Sequence, residues 1–228
     1  MWINSGRVRE VLKPLCWLYF LEKRLGVPSA MLMGSSPRMI LGVGLAASAG
    51  GLAALTEVLS HLPGDFPAPL LVVQHLDPHH RSWMADILRR RVELDVREAK
   101  DGDRLLPSTI FLAPPDRHLL ISPAGRLKLS SASKVHFVRP SADLLFTSLA
   151  AHMGTHAVAV VLSGSGSDGC EGVRAVKKQG GTVIVQDQAE FDGMPAAARN
   201  TGAVDYVLPL NEIAGMLIEL AAAMEVGA

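Results

Sequence analysis

Apolar and polar positions change their spacing repeatedly along this chain, from runs of buried-strand character to stretches with helical period. Residues 40–45 predict a strand, and residues 52–62 predict a helix ended by Pro63-Gly64. Residues 70–74 form a nearly continuous apolar run, as a strand covered on both faces would. Residues 81–90 predict a helix with Trp83, Ile87 and Leu88 on one side. Val92, Leu94 and Val96 alternate with charges in the manner of a half-exposed strand. Residues 109–113 predict another strand, which Pro114-Pro115-Asp116 turns. Two runs, 118–122 and 126–130, flank Pro123-Ala124-Gly125 and predict a β-hairpin. The alternation then resumes, with a helix after Pro140-Ser141, a strand over 157–162 and a helix after Asp168. A strand over 182–186, a helix after Met194, a strand over 205–208 and a final helix complete the series. Repeated strand–helix crossovers imply an α/β fold, a doubly wound, mainly parallel sheet with helices on both faces and an inserted β-hairpin.

The first residues do not share this rhythm. Arg7, Arg9 and Lys13 precede an apolar stretch at 14–21, but Glu22, Lys23 and Arg24 close it and no small-residue cleavage site follows. Residues 1–38 are expected to be a poorly ordered N-terminal extension, with a partner-binding helix as the alternative, and 39–228 a single catalytic-type domain. With 49% hydrophobic and 19% charged residues, the 228-residue chain can bury a full core. The 22 basic residues balance the 22 acidic ones, so no net field favours nucleic acid or anionic lipid. The uncharged run 40–56 comes near the lower length of a membrane span, but Gly42, Gly44, Gly50 and Gly51 fit a strand, a tight turn and a helix start, so no membrane insertion is expected. Cys16 and Cys170 are far apart and lack metal-ligand spacing, which suits reduced thiols and a cytoplasmic location.

Ligands of open parallel sheets collect at the carboxyl ends of the strands. Three such ends carry chemistry: AASAGG at 46–51, QHLDPHH at 74–80 and SGSGSDG at 163–169. They hold Ser48, His75 and Asp168. Ser48 sits among small residues, as a serine on a sharp strand-to-helix turn requires, although Ala46 replaces the first glycine of the usual elbow. The plain alternative is a helix N-cap serine. Gly42-Val43-Gly44-Leu45-Ala46-Ala47 also fits a dinucleotide fingerprint, but the second strand ends in Gln74 and His75, without the acidic residue that fingerprint needs. His75, His79, His80 and Asp77 invite a metal reading; Pro78 interrupts the helix that would align them, which leaves solvated loop histidines as the plainer account. Asp168 reads equally as the N-cap of the helix that follows it. Gly164 and Gly166 would allow backbone N–H groups to approach an oxyanion.

Together with EAKDGDRLLP, FLAPPDRHL, RPSADLLF and FDGMP, these segments resemble, in order, the chemoreceptor protein-glutamate methylesterase family (CheB-type catalytic domain) from about residue 40 to 210. The resemblance implies Ser48 as nucleophile, His75 as base and Asp168 as its carboxylate partner, with Ala49, Gly164 and Ser165 around the oxyanion. It implies hydrolysis of glutamate methyl esters on methyl-accepting chemoreceptor helices, with no cofactor and no metal, and glutamine deamidation as a further activity. A receptor methyltransferase or a separate response regulator would be further partners. A catalytically weak binding module that keeps the fold is the alternative. Ser165 stands where many members carry methionine, and the residues before 39 are too few for the family's receiver domain. If residues 1–38 are a frayed extension, their deletion leaves the unfolding free energy nearly unchanged, as urea titration of the shortened chain would show.

Overall fold

The computed structural model describes residues 41–75 and 82–226. Within them, seven parallel strands form one sheet and two antiparallel strands form a separate hairpin. The strands are β1 Gly42–Ala47, β2 Leu70–Gln74, β3 Asp95–Glu98, β4 Thr109–Leu112, β5 His118–Ile121, β6 Leu127–Ser130, β7 Ala157–Val161, β8 Thr182–Gln186 and β9 Tyr206–Leu208. The α-helices are α1 Gly51–Ser60, α2 Met84–Arg89, α3 Ala142–Met153, α4 Cys170–Lys178, α5 Gly193–Arg199 and α6 Leu210–Val226. Strand order is β3-β4-β2-β1-β7-β8-β9, so the chain reverses its direction of travel across the sheet at β1 and β7. That switch opens a crevice above the carboxyl ends of β1, β2 and β7.

Alternate residues of each strand feed opposite faces. Val43, Leu45, Leu70, Val72, Val158 and Val160 pack with apolar residues of α1, α2 and α6. Ala46, Leu71, Val73, Ala159 and Val161 pack with α3, α4, α5 and the hairpin. Both faces are therefore covered, which explains why β1, β2 and β7 are apolar almost throughout. The doubly wound fold and the hairpin agree with the sequence reading.

Two details differ. In α2 the buried pair is Met84 and Leu88, whereas Trp83 is 58% and Ile87 37% exposed. The helix begins only at Met84, so the i, i+4 pair facing the core is Met84–Leu88 and Trp83 stands at the entry to the first turn. The edge strand β3 is shorter than the alternating run, because its pairing with β4 covers only Asp95 to Glu98.

The glycines of the dinucleotide-like fingerprint lie inside β1 rather than on a phosphate-binding turn. They let α3 approach the sheet: a Cβ on Gly44 would lie 3.0 Å from two ring carbons of Phe146 and 3.1 Å from Leu149 Cδ2. Gly44→Ala should therefore destabilise the protein by about 1–3 kcal/mol through overpacking. Urea denaturation would measure the loss, and unchanged stability would mean that α3 can retreat without penalty.

Candidate active site

The parallel register pairs Ala47 with Gln74, and His75 N–H donates to Ala47 O at 3.0 Å. Ser48 and His75 are thus neighbours at the ends of adjacent strands. On the other side, Ser48 N–H donates to Ser163 O at 3.0 Å, which ties the serine to the segment after β7. Gln74 Nε2 donates to Ser48 O at 2.7 Å and to His75 O at 3.1 Å, holding both residues from below. Gly50, with φ 71°, occupies the α1 N-cap position. Ser48 is therefore not the helix cap; it lies on the turn that precedes it. A Cβ on Gly50 would meet Ser163 Oγ at 2.8 Å, and Ser163 Oγ itself donates to Ala49 O.

His75 Nε2–H donates to Asp168 Oδ2 at 2.8 Å, with side-chain exposures of 11% and 3%. A carboxylate on Nε2 fixes the proton there and leaves Nδ1 of the neutral ring as the basic nitrogen. Ser48 Oγ makes no hydrogen bond with a described residue.

Asp168 does not cap the helix that follows it. That N-cap position belongs to Gly169, at φ 103°. The carboxylate instead reaches across to the start of α3. Ala142 N–H donates to Oδ2 at 2.6 Å, Asp143 N–H to Oδ1 at 3.3 Å and Ser141 Oγ to Oδ1 at 2.7 Å. Burial pushes the Asp168 carboxyl up, but the hydrogen bonds from His75, Ala142 and Ser141 outweigh it and hold the group below its ordinary value.

Of the expected oxyanion residues, Gly164 does not offer its N–H, which donates to Phe191 O at 2.9 Å. Its role is steric: a Cβ there would lie 2.4 Å from Met194 Sδ and 2.9 Å from Ser48 Cβ. The N–H groups of Ala49 and of the exposed Ser165 have no hydrogen-bond partner among the described residues. Asp77, His79 and His80 lie outside the described residues.

This arrangement suits proton transfer from a hydroxyl at the tip of β1 to an imidazole whose far side is held by an ionised carboxylate. A family profile described as CheB methylesterase matches residues 43–217. The chain belongs to that family. It is 45% identical over 178 residues to a protein-glutamate methylesterase/protein-glutamine glutaminase 2 of Anaeromyxobacter dehalogenans, covering 77% of this chain and 52% of that one. A protein-glutamate methylesterase/protein-glutamine glutaminase 4 of Myxococcus xanthus is 43% identical over 177 residues, covering 77% and 50%. The chain spans about half the length of the curated relatives it matches. The crystal structure of the Thermotoga maritima CheB methylesterase catalytic domain superposes with a TM-score of 0.76 at 37% identity, covering 79% of this chain and 98% of that one.

Sequence reasoning missed several supporting residues of this CheB methylesterase fold: Gln74, Ser141, Asp143, Ser163 and Met194. Ser141 carried a legible signal, a serine just before a helix. Its hydroxyl nevertheless makes no cap bond to α3 and donates to Asp168. Gln74 was legible only as a polar residue ending an apolar strand.

The lowered pKa of Asp168 sets a sign for stability. Its contribution is full above the unfolded carboxylate value of about 3.9 and is lost as pH falls through the lower folded value. Asp168→Asn should cost roughly 1.5–3 kcal/mol near neutrality. The gap to the parent protein should close in acid. A gap of constant size in urea titrations from pH 7 to 2 would show that the native carboxylate is not held ionised.

Proposed function

We propose that this chain is a serine esterase that hydrolyses glutamate γ-methyl esters on protein substrates. The observation that carries the reading is the buried Asp168–His75 pair beside the Ser48 turn, in a chain of the CheB methylesterase family. The names of the relatives supply the substrate class. The finer assignment is to helices of methyl-accepting chemoreceptors in the cytoplasm, with a receptor methyltransferase or response regulator as further partner. Among the described residues, no helix is long and apolar enough to cross a membrane.

In this mechanism His75 Nδ1 takes the Ser48 proton as Oγ bonds to the ester carbonyl carbon. Asp168 holds the ring and stabilises the imidazolium that forms. The N–H groups of Ala49 and Ser165 are the oxyanion donors of this scheme. As the tetrahedral intermediate collapses, the C–O bond to the methoxy group breaks and His75 returns the proton to methanol. Water, deprotonated by the same imidazole, attacks the acyl-serine; Ser48 leaves reprotonated and the glutamate carboxylate is released. No step calls for a metal or a cofactor. The double name of the relatives favours deamidation of glutamine as a second reading, with ammonia in place of methanol.

Ser48→Ala should fold normally and lose on the order of 10⁶ in kcat, measured as methanol release from a peptide γ-glutamyl methyl ester. A fluorophosphonate should label the parent at Ser48, because such a probe reacts with an activated serine. A folded Ser48→Ala protein that keeps its activity defeats the scheme, and a parent that resists labelling supports a binding module instead.

A further inference from the structure

Asp143, in the first turn of α3, takes no part in the chemistry described above, yet it is 4% exposed and stands against the catalytic pair. Its Oδ1 accepts the N–H of Gly172, in the first turn of α4, at 2.8 Å. The two helix starts are thus capped crosswise. Asp168, just ahead of α4, receives the N–H groups of Ala142 and Asp143 at the start of α3, while Asp143 of α3 receives an N–H of α4. The two helices pack closely: a Cβ on Gly172 would lie 2.6 Å from Phe146 Cβ and 3.1 Å from Asp143 Cα. At that distance each aspartate side chain bonds to the start of the other helix.

We propose that Asp143 is a positioning residue for the esterase: by capping α4 from α3 it completes a reciprocal clasp that aims Asp168 Oδ2 at His75. The inference rests on the esterase reading given above. The second carboxylate oxygen of Asp143 adds to the case. It is buried without a hydrogen bond, although His136 Nε2 lies 3.3 Å away, within ion-pair range. A buried carboxylate beside another carboxylate is costly to keep, and burial followed by the charge of Asp168 pushes its proton affinity up, against the Gly172 N–H and His136. The clasp gives a reason for that arrangement, since Oδ1 accepts the Gly172 N–H whether the group is charged or neutral.

The experiment is fluorophosphonate labelling of the full chain as a function of pH, together with the downfield proton resonance of the His75–Asp168 hydrogen bond. The ionisable groups facing Asp143 are Asp168, His136 and Cys170. Asp143→Ala removes the cap and should slow labelling roughly 10- to 100-fold, the cost of misplacing a catalytic group by about 1 Å. It should also move the acid limb of the profile and shift the downfield resonance. Asp143→Asn removes the charge but keeps an oxygen for Gly172 N–H, and should recover most of the rate and the resonance. If Asp143→Ala does not fold, Asp143→Glu, which keeps the charge and displaces the carboxylate by one methylene, should show the same loss. Wild-type rate, profile and resonance in the folded Ala variant, or in the Glu variant where Ala does not fold, overturn the proposal even if thermal stability falls. An Asn variant as slow as Ala overturns it too, since charge rather than the cap would then be at work. If the parent protein does not label at all, the esterase reading fails on its own, and the resonance still decides whether Asp143 positions Asp168.

Discussion

The buried carboxylate of Asp168 is the constraint around which the upper face of the sheet is built. A carboxylate that is 4% exposed survives as an anion only when donors surround it. Here they come from three places: an imidazole after β2, a hydroxyl before α3, and two backbone N–H groups of the first turn of α3. The start of α3 supplies unpaired N–H groups and the positive end of a helix dipole, so the anion and the helix stabilise one another. The same contacts leave one direction of Oδ2 for His75. One carboxylate therefore both caps the start of α3 and orients the His75 ring.

The other segments around the crevice meet through backbone groups as much as through side chains. The turn after β1 is tied to the segment after β7 by Ser48 N–H and Ser163 O, and to the end of β2 by Gln74. FDGMP closes over the same place: Gly164 N–H donates to Phe191 O, and Met194 N–H to Gly164 O. FLAPPDRHL and RPSADLLF are joined by Arg139, which donates through Nε and Nη2 to Asp116 Oδ1 and through Nη1 to two loop carbonyls. That link fastens the chain immediately before Ser141. Positions far apart in sequence thus share one hydrogen-bonded rim, and small residues such as Gly164 are needed where backbones must come within reach of Ser48.

Much of this protein was legible in the sequence for a simple reason. The period of apolar residues reports burial directly, so strands covered on both faces, such as β1, β2 and β7, declare themselves as apolar runs, and the helices between them imply parallel crossovers. The rule that ligands gather at the carboxyl ends of parallel strands then singled out Ser48, His75 and Asp168 without knowledge of their distances. Tertiary structure decided what periodicity cannot encode. Whether Asp168 caps the following helix or another one depends on how α3 packs against α4, and the close approach at Gly172 sets that distance. Whether Gly164 N–H faces the crevice depends on Phe191, more than twenty positions later, taking it first. Whether Gly44 belongs to a phosphate turn or a packed strand depends on Phe146 lying across it. Local patterns fix which segments become strands and helices, because backbone hydrogen bonding and burial are nearly local properties. Partner choice among buried polar groups is set by non-local geometry, and it exists only once the two faces of the sheet have closed.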